Sequence, residues 1–164
     1  MQANYMTRKS YEKLSAEARR LKEVEVPRVS KEKLEAAAQG DLRENAGYEA
    51  ARDRLNLINA RINQIAEQLT GTQFIEDLKI PANVVTIGTR VKLLDLDETQ
   101  EVEYCILGPA DADVGNKIIS FQSPLARAMI AKKISEEFSA VTPGGERNFR
   151  ILAIERYGDG TQPS

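Results

Sequence analysis

An unbroken heptad stripe is the feature of this sequence that most constrains its fold. Its apolar positions alternate between spacings of 3 and 4 residues, at Tyr48, Ala51, Leu55, Ile58, Ile62, Ile65 and Leu69. This period predicts a long helix with an a/d seam along one face. Such a helix can bury its stripe only against a second helix or another partner.

A second, weaker stripe precedes the first. It runs through Tyr11, Leu14, Ala18 and Leu21, slips near Pro27, and resumes with Leu34 and Ala37 or Ala38. The two stripes predict an antiparallel coiled-coil hairpin whose tip is the segment 40–45. At about 1.5 Å per residue, the roughly 28 residues from Tyr11 to the tip would form an arm about 40 Å long. An arm of this length that ends in two carboxylates suggests a probe.

From Val84 onward the hydrophobic period changes to two, and β-branched residues dominate. Strands are predicted at 91–94, 102–107, 117–120, 138–141 and 149–154. Ser123 and Pro124 predict the N-cap and first residue of a short helix that ends near Ile130. The expected chain is therefore of the α+β class. Its predicted parts are a hairpin at 1–75, a linker at 76–83, an antiparallel β-sheet domain at 84–157 and a disordered tail at 158–164.

Composition excludes several classes of activity. The 164 residues contain no histidine, which removes the most common general base and every Ser-His or Cys-His nucleophile. The single cysteine, Cys105, excludes an intramolecular disulfide, fits a reducing cytoplasm, and is expected to be buried in a strand. The first residues lack a signal-peptide core, and no apolar run approaches the ~20 residues of a membrane span.

The charge is divided unevenly between the two halves. Residues 1–70 hold 13 Lys or Arg against 11 Asp or Glu, and residues 71–164 hold 10 against 14. Neither half has the strong basic excess of an autonomous DNA-binding protein. A nucleic acid would therefore have to be presented to this chain by another molecule.

The tip sequence admits two compatible interpretations. In the structural one, Gly40 ends the first helix in a left-handed conformation, Asp41 caps the second helix, and Glu44 is its capping-box acid. In the functional one, the two carboxylates hold Mg²⁺ through one or two oxygens and leave the other positions to water and phosphate. Two ligands make an incomplete site, so the tip would donate part of a site to a larger active centre.

Other side chains near the tip also have two interpretations. Tyr48 fits the core of the helical seam, or alternatively a platform for base stacking. Arg43, Arg52 and Arg54 fit solvated helix charges, but they become phosphate contacts if RNA reaches the tip.

Several longer blocks carry a resemblance to a known family. They are Ala38-Gln39-Gly40-Asp41-Leu42-Arg43-Glu44-Asn45-Ala46, Leu93-Leu94-Asp95-Leu96-Asp97, Ala110-Asp111-Ala112-Asp113, Ser123-Pro124-Leu125-Ala126-Arg127-Ala128 and Thr142-Pro143-Gly144-Gly145. Across about residues 7–156, the chain resembles the Gre transcript-cleavage factors of bacterial RNA polymerase.

The resemblance implies a coiled coil followed by an FKBP-like (FK506-binding-protein-like) domain without isomerase activity. That domain would dock on RNA polymerase through a region that includes Ser123 and Pro124, while the coiled coil enters the secondary channel. Asp41 and Glu44 would help to bind a magnesium ion shared with the polymerase active centre, so that the polymerase cleaves backtracked RNA near its 3′ end.

The same resemblance implies a monomeric, cytoplasmic transcription factor that is not itself an enzyme and has no cofactor of its own. It would meet nascent RNA, and DNA, only within the elongation complex. The modest basic excess of the arm favours the subtype that releases short RNA fragments.

Departures from the family pattern leave other functions open. Glu49 stands where many members have histidine, Gly47 stands where an acid is common, and the segment 131–137 differs after the short helix. These differences allow a channel-binding homologue that inhibits or regulates polymerase without stimulating cleavage. A generic coiled-coil adaptor that carries a small β domain is the third alternative.

Overall fold

The computed structural model describes residues 4–158, which divide into two compact units. Tyr11–Gly71 is the helical unit, and residues 4–10 together with 72–158 form the β unit. The segment 76–83, expected to be a linker, belongs to the β unit in this division. The tail expected at 158–164 lies, apart from Gly158, outside the described residues.

The order of elements confirms the α+β class, with a long helical hairpin followed by a β-sheet that carries a short helix. The helices are α1 (Arg8–Arg20), α2 (Val26–Ala37), α3 (Ala46–Leu69) and α4 (Pro124–Met129). The strands are β1 (Asn4–Met6), β2 (Thr72–Phe74), β3 (Thr89–Asp95), β4 (Gln100–Leu107), β5 (Ile118–Ser120), β6 (Glu137–Thr142) and β7 (Gly145–Arg156). None of the helices in this described part combines the length and hydropathy that crossing a bilayer requires.

A heptad seam and cross-hairpin ion pairs hold the helical unit together. Ile65 on the seam of α3 is fully buried, and most other seam positions are half-buried. The Arg61 Nε lies 2.8 Å from the Glu17 Oε1, and the Arg54 Nη1 lies 3.3 Å from the Glu32 Oε2. Arg61 is later in the sequence than Arg54, but its partner Glu17 is earlier than Glu32. The two sides of the hairpin are therefore antiparallel, as predicted.

A π-turn at Leu21–Glu25 joins α1 to α2 without ending the helix. The Val26 N–H donates to the Leu21 carbonyl, and Pro27, which has no N–H to donate, follows directly. The one additional residue moves the seam of α2 by one position, so that Val29 is fully buried while Leu34 is 72% exposed. The prediction that the stripe resumes at Leu34 is therefore wrong.

A five-stranded sheet in the order β5-β4-β3-β7-β6 forms the framework of the β unit. Strand β3 pairs antiparallel with β4 and β7, and β6 pairs antiparallel with β7. Strand β5 instead runs parallel to β4. The predicted antiparallel pairing thus holds for three of the four strand pairs, and the parallel β4–β5 pair makes the sheet mixed. The connection from β4 contains two 3₁₀ turns, and this longer crossover lets the next strand enter in the same direction.

The core of the β unit lies between this sheet and α4. Its fully buried members include Val91 and Leu93 from β3, Ile106 from β4, Ile151 from β7, and Ala126 and Met129 from α4. The rings of Phe138 and Phe149 stack within the same cluster, with their centroids 5.4 Å apart. The core therefore fixes the short helix on the sheet.

The N-terminal strand is anchored in the β unit by a close backbone approach and a buried carboxylate. Strand β1 pairs with β2, and a Cβ placed on Gly108 would overlap the carbonyl oxygen of Tyr5, so this position requires glycine. Asp111 is buried and accepts hydrogen bonds from the Thr7 N–H at 3.2 Å and from the Thr7 Oγ1 at 2.6 Å. The residue directly before α1 is thereby held in place.

Candidate functional site

Asp41 and Glu44 lie in the connection between α2 and α3. Helix α2 ends at Ala37, Leu42–Glu44 forms one 3₁₀ turn, and α3 begins at Ala46. Both acidic residues are exposed. The structure therefore places the two carboxylates on the tip of the hairpin, at the ends of a single turn.

Asp41 caps the 3₁₀ turn instead of α3. Its Oδ1 accepts a hydrogen bond from the Arg43 N–H at 3.0 Å. The interpretation of Glu44 as a capping-box acid of α3 is wrong, because that helix begins two residues after Glu44. Gly40 is not left-handed, since the glycines with positive φ in the described chain lie elsewhere. The tip carboxylates are thus less committed to helix capping than the sequence suggests.

Asn45 is the N-cap of α3, and sequence reasoning missed it. Its Oδ1 accepts a hydrogen bond from the Tyr48 N–H at 3.0 Å. Its Nδ2 donates to the carbonyl oxygen of Ala36, near the end of α2, at 2.6 Å. Asparagine is among the preferred N-cap residues, so the signal was present, but Asp41 with an acid three residues later matched the capping-box pattern better.

Tyr48 is half-buried on the seam of α3, in keeping with its structural interpretation. The Lys33 Nζ of α2 lies 5.6 Å from the centroid of its ring, within the range of a cation–π contact. One part of the ring is therefore covered by the hairpin itself. Base stacking on Tyr48 stays a prediction.

The three tip-proximal arginines differ in their partners. The Arg52 Nε lies 3.7 Å from the Asp53 Oδ1, and the Arg54 Nη1 lies 3.3 Å from the Glu32 Oε2. Arg43 is exposed, and its guanidinium has no carboxylate partner among residues 4–158. Arg43 is consequently the most available of the three for a phosphate, although contact with RNA stays a prediction.

The oxygen donors at the tip fit partial coordination of a magnesium ion. No three His, Cys, Asp or Glu side chains of the described residues come together in a way that could hold a metal. Asp41 has one oxygen beyond its cap bond, and the carboxylate of Glu44 has no hydrogen bond or ion pair from residues 4–158. Hard carboxylate oxygens suit Mg²⁺, which commonly takes one or two of them and completes its octahedron with water and phosphate. The donor set therefore fits a shared site and does not fit a complete site within this chain.

Ser123 and Pro124 lie in the β unit, at the start of α4. The Ser123 Oγ accepts a hydrogen bond from the Ala126 N–H at 3.3 Å, and the exposed Pro124 occupies the first helical turn. The predicted cap is confirmed. A role for this pair in docking on a partner stays a prediction.

Cys105 is buried in β4, as predicted, and is not a reactive thiol. Removal from water raises the pKa of this thiol to about 11. At neutral pH the group is therefore protonated, whereas nucleophilic cysteines act as thiolates. With no histidine in the sequence, the described residues offer no cysteine nucleophile.

Two protein-family models together match most of the chain. The model described as "Transcription elongation factor, N-terminal" matches residues 4–73, and "Transcription elongation factor, GreA/GreB, C-term" matches residues 80–156. The first contains the hairpin with its tip, and the second contains the sheet with α4.

Relatives at about 40% identity carry a related name. A protein called transcription elongation factor GreA from Helicobacter hepaticus is 42% identical over 149 residues, which is 91% of each chain. The GreA of Wolinella succinogenes is 41% identical over 154 residues, which is 94% of this chain and 95% of the other. Among solved structures, GreA factor homolog 1 (Gfh1) of Thermus thermophilus is 27% identical with a TM-score of 0.42, covering 94% of this chain and 99% of its own.

Proposed function

The chain belongs to the GreA/GreB family of transcription elongation factors, and from this premise we propose that it stimulates cleavage of backtracked RNA by bacterial RNA polymerase. The observation that carries the proposal is the exposed pair of carboxylates, Asp41 and Glu44, on the tip of a helical hairpin. Such a pair cannot form a hydrolytic site unaided. We infer that it acts on an active centre that the polymerase supplies.

In the proposed complex, the hairpin enters the secondary channel and brings its tip to the extruded RNA 3′ end. Asp41 and Glu44 would hold a magnesium ion jointly with the polymerase. When bound, magnesium lowers the pKa of a coordinated water and offsets charge on the reacting phosphate. The chain itself contributes negative charge and hydrogen-bond acceptors for water, on a turn that the Arg43 N–H fastens at Asp41.

Charge and exposure assign supporting roles to other predicted residues. Arg43 is proposed to contact an RNA phosphate before Arg52 or Arg54, because the latter two already face carboxylates. Docking on polymerase is proposed at Ser123 and Pro124. Binding of DNA is not part of the proposal, since residues 71–164 carry 14 acidic against 10 basic residues.

Transcript cleavage in a backtracked polymerase complex tests this function, with labelled RNA and magnesium. The Asp41→Ala/Glu44→Ala variant is expected to bind the complex and to leave cleavage at the rate of polymerase alone. A matched control, Glu12→Gln/Asp53→Asn, removes the same charge from exposed helix positions and should cleave like the wild type.

Three results would contradict the proposal. Cleavage by the tip variant at the wild-type rate would show that the carboxylates are not the acting groups. Binding of the wild type without any acceleration would instead identify a regulator of the polymerase channel, and absence of binding would identify an adaptor for other partners.

A further inference from the structure

We propose that Asn45 is the positioning residue of the tip, because its side chain clamps the base of the turn that carries Asp41 and Glu44. The inference rests on the proposed function for its catalytic consequence. The clamp itself is a property of the hairpin and can be measured without polymerase.

The clamp consists of two hydrogen bonds made by one amide group. The Oδ1 accepts from the Tyr48 N–H at 3.0 Å and so begins α3. The Nδ2 donates to the Ala36 carbonyl at 2.6 Å and so binds the last turn of α2. The amide carries its acceptor and its donor on two separate atoms, whereas a serine hydroxyl carries both on one oxygen. Asn45 therefore joins the two helices at the point where they meet the turn.

The backbones come close enough at this point for a short side chain to span them. A Cβ placed on Gly47 would lie 3.6 Å from the Ala36 Cβ and 3.5 Å from the Asn45 Oδ1. Small residues at 36 and 47 thus permit the approach on which the 2.6 Å bond depends. The Ala36 carbonyl lies in the last turn of α2 and also accepts from the Gln39 N–H at 3.2 Å, so the Asn45 amide adds a second and shorter bond to the same oxygen.

The segment between the two clamped residues contains both carboxylates. Asp41 fastens its own turn through the Arg43 N–H, and the Glu44 N–H donates to the Asp41 carbonyl at 3.4 Å. Glu44 is the direct neighbour of Asn45 in sequence. Without the clamp, this exposed segment would be tied down only by that one 3₁₀ turn, and the two carboxylates would lose their fixed positions.

Substitutions at Asn45 separate the clamp from the ordinary N-cap. Asn45→Ser keeps a neutral cap acceptor for α3 but has no donor that reaches Ala36, whereas Asn45→Asp keeps the cap and replaces the donor with a charge. Both variants should therefore retain the helix content of the wild type by circular dichroism. Asn116→Ser is the matched control, because it removes an amide hydrogen bond of the same 2.6 Å length, which the exposed Asn116 donates to Asp113 in the β unit.

Backbone ¹⁵N relaxation of the free protein gives the first readout. In Asn45→Ser and Asn45→Asp, the order parameters of amides 40–44 are expected to fall from about 0.85 toward 0.6, while those of the rest of α3 stay unchanged. The Asn116→Ser control should leave the tip as ordered as in the wild type. A tip that stays fully ordered in Asn45→Ser would overturn the clamp and show that the cap alone suffices.

Cleavage of backtracked RNA gives the second readout. Asn45→Ser should lower the rate at saturating factor by about 10-fold, and at most about 100-fold, because misplaced groups lose proximity. The factor concentration that gives half the maximal effect should not change. A general loss of folding would instead change this concentration. An unchanged rate would overturn the positioning role.

The two proposals fail in different ways. If Asp41→Ala/Glu44→Ala is inactive while Asn45→Ser is fully active, only the inference about Asn45 is rejected. If Asp41→Ala/Glu44→Ala is fully active, the role proposed for the two carboxylates and the positioning role of Asn45 are both rejected.

Discussion

The helical unit and the β unit are stabilised in different ways. Of the 17 buried hydrophobic residues in the described chain, only Val29, Ala51 and Ile65 belong to the helical unit. The β unit contains the others, most of them in one continuous cluster. Apolar burial therefore dominates the β unit, whereas the helical unit depends on a narrow seam, capping bonds and exposed ion pairs.

This difference explains why the tip needs hydrogen bonds of its own. A two-helix hairpin has no third layer to cover its ends, so packing cannot hold a connecting turn. The bonds from Asp41 and Asn45 supply the local order that a core provides elsewhere. Exposed ion pairs supply local order beside the π-turn. There the Arg28 Nη2 lies 2.6 Å from the Glu25 Oε2, and its Nη1 lies 2.9 Å from the Glu32 Oε1.

The largest effect is expected from a truncation in the β unit. Leu93→Ala should lower the free energy of unfolding by about 3 kcal/mol or more, because a fully enclosed cavity replaces the side chain. Ile65→Ala, although equally buried, should cost about 2 kcal/mol, since a hairpin can close around the gap. Thermal unfolding with amide hydrogen exchange measures both. Equal losses would break the contrast between the two units.

A smaller and pH-dependent effect is expected at Asp95, which is buried in the β unit. The Arg147 guanidinium 2.8 Å away, with the N–H groups of Asp97 and Glu98, holds the pKa of this carboxyl below its ordinary 3.8. A lowered pKa stabilises the fold above pH 3.8, and this contribution is lost as the pH falls through the folded value. Asp95→Asn should therefore reduce the melting temperature more at pH 7 than at pH 3. Equal reductions at both values would show that the charge is not responsible.

The smallest effect is expected from the exposed pair of Glu17 and Arg61 in the helical unit. The Arg61 guanidinium lowers the pKa of Glu17 through hydrogen bonds of 2.8 and 2.9 Å. Because solvent screens both groups, Glu17→Gln should cost about 0.5 kcal/mol or less, and 1 M salt should remove most of the difference. A loss as large as that of Ile65→Ala would mean that surface charge, and not the seam, holds the hairpin.

Much of the fold and part of the site could be predicted from sequence. The seam of α3, the strands β3, β4, β6 and β7, and the Ser123 cap follow from spacings within a few residues, and all were confirmed. Asp41 and Glu44 could be placed on the tip for the same reason. Their roles in cleavage, like those of the arginines, depend on a partner and stay predictions.

The sequence by itself determined the helical hairpin with its tip, the five strands of the larger sheet, the short helix α4 and the family to which the chain belongs. Only the tertiary structure decided that Asn45 caps α3, that Val29 replaces Leu34 on the seam, and that β5 runs parallel to β4. The first of these depends on a hydrogen bond to a residue nine positions away, and the other two depend on how a turn or a crossover is built. The Ala36 carbonyl selects Asn45, the missing N–H of Pro27 favours the π-turn, and the length of the crossover sets the direction of β5. Local hydrophobic periodicity predicts none of these three features.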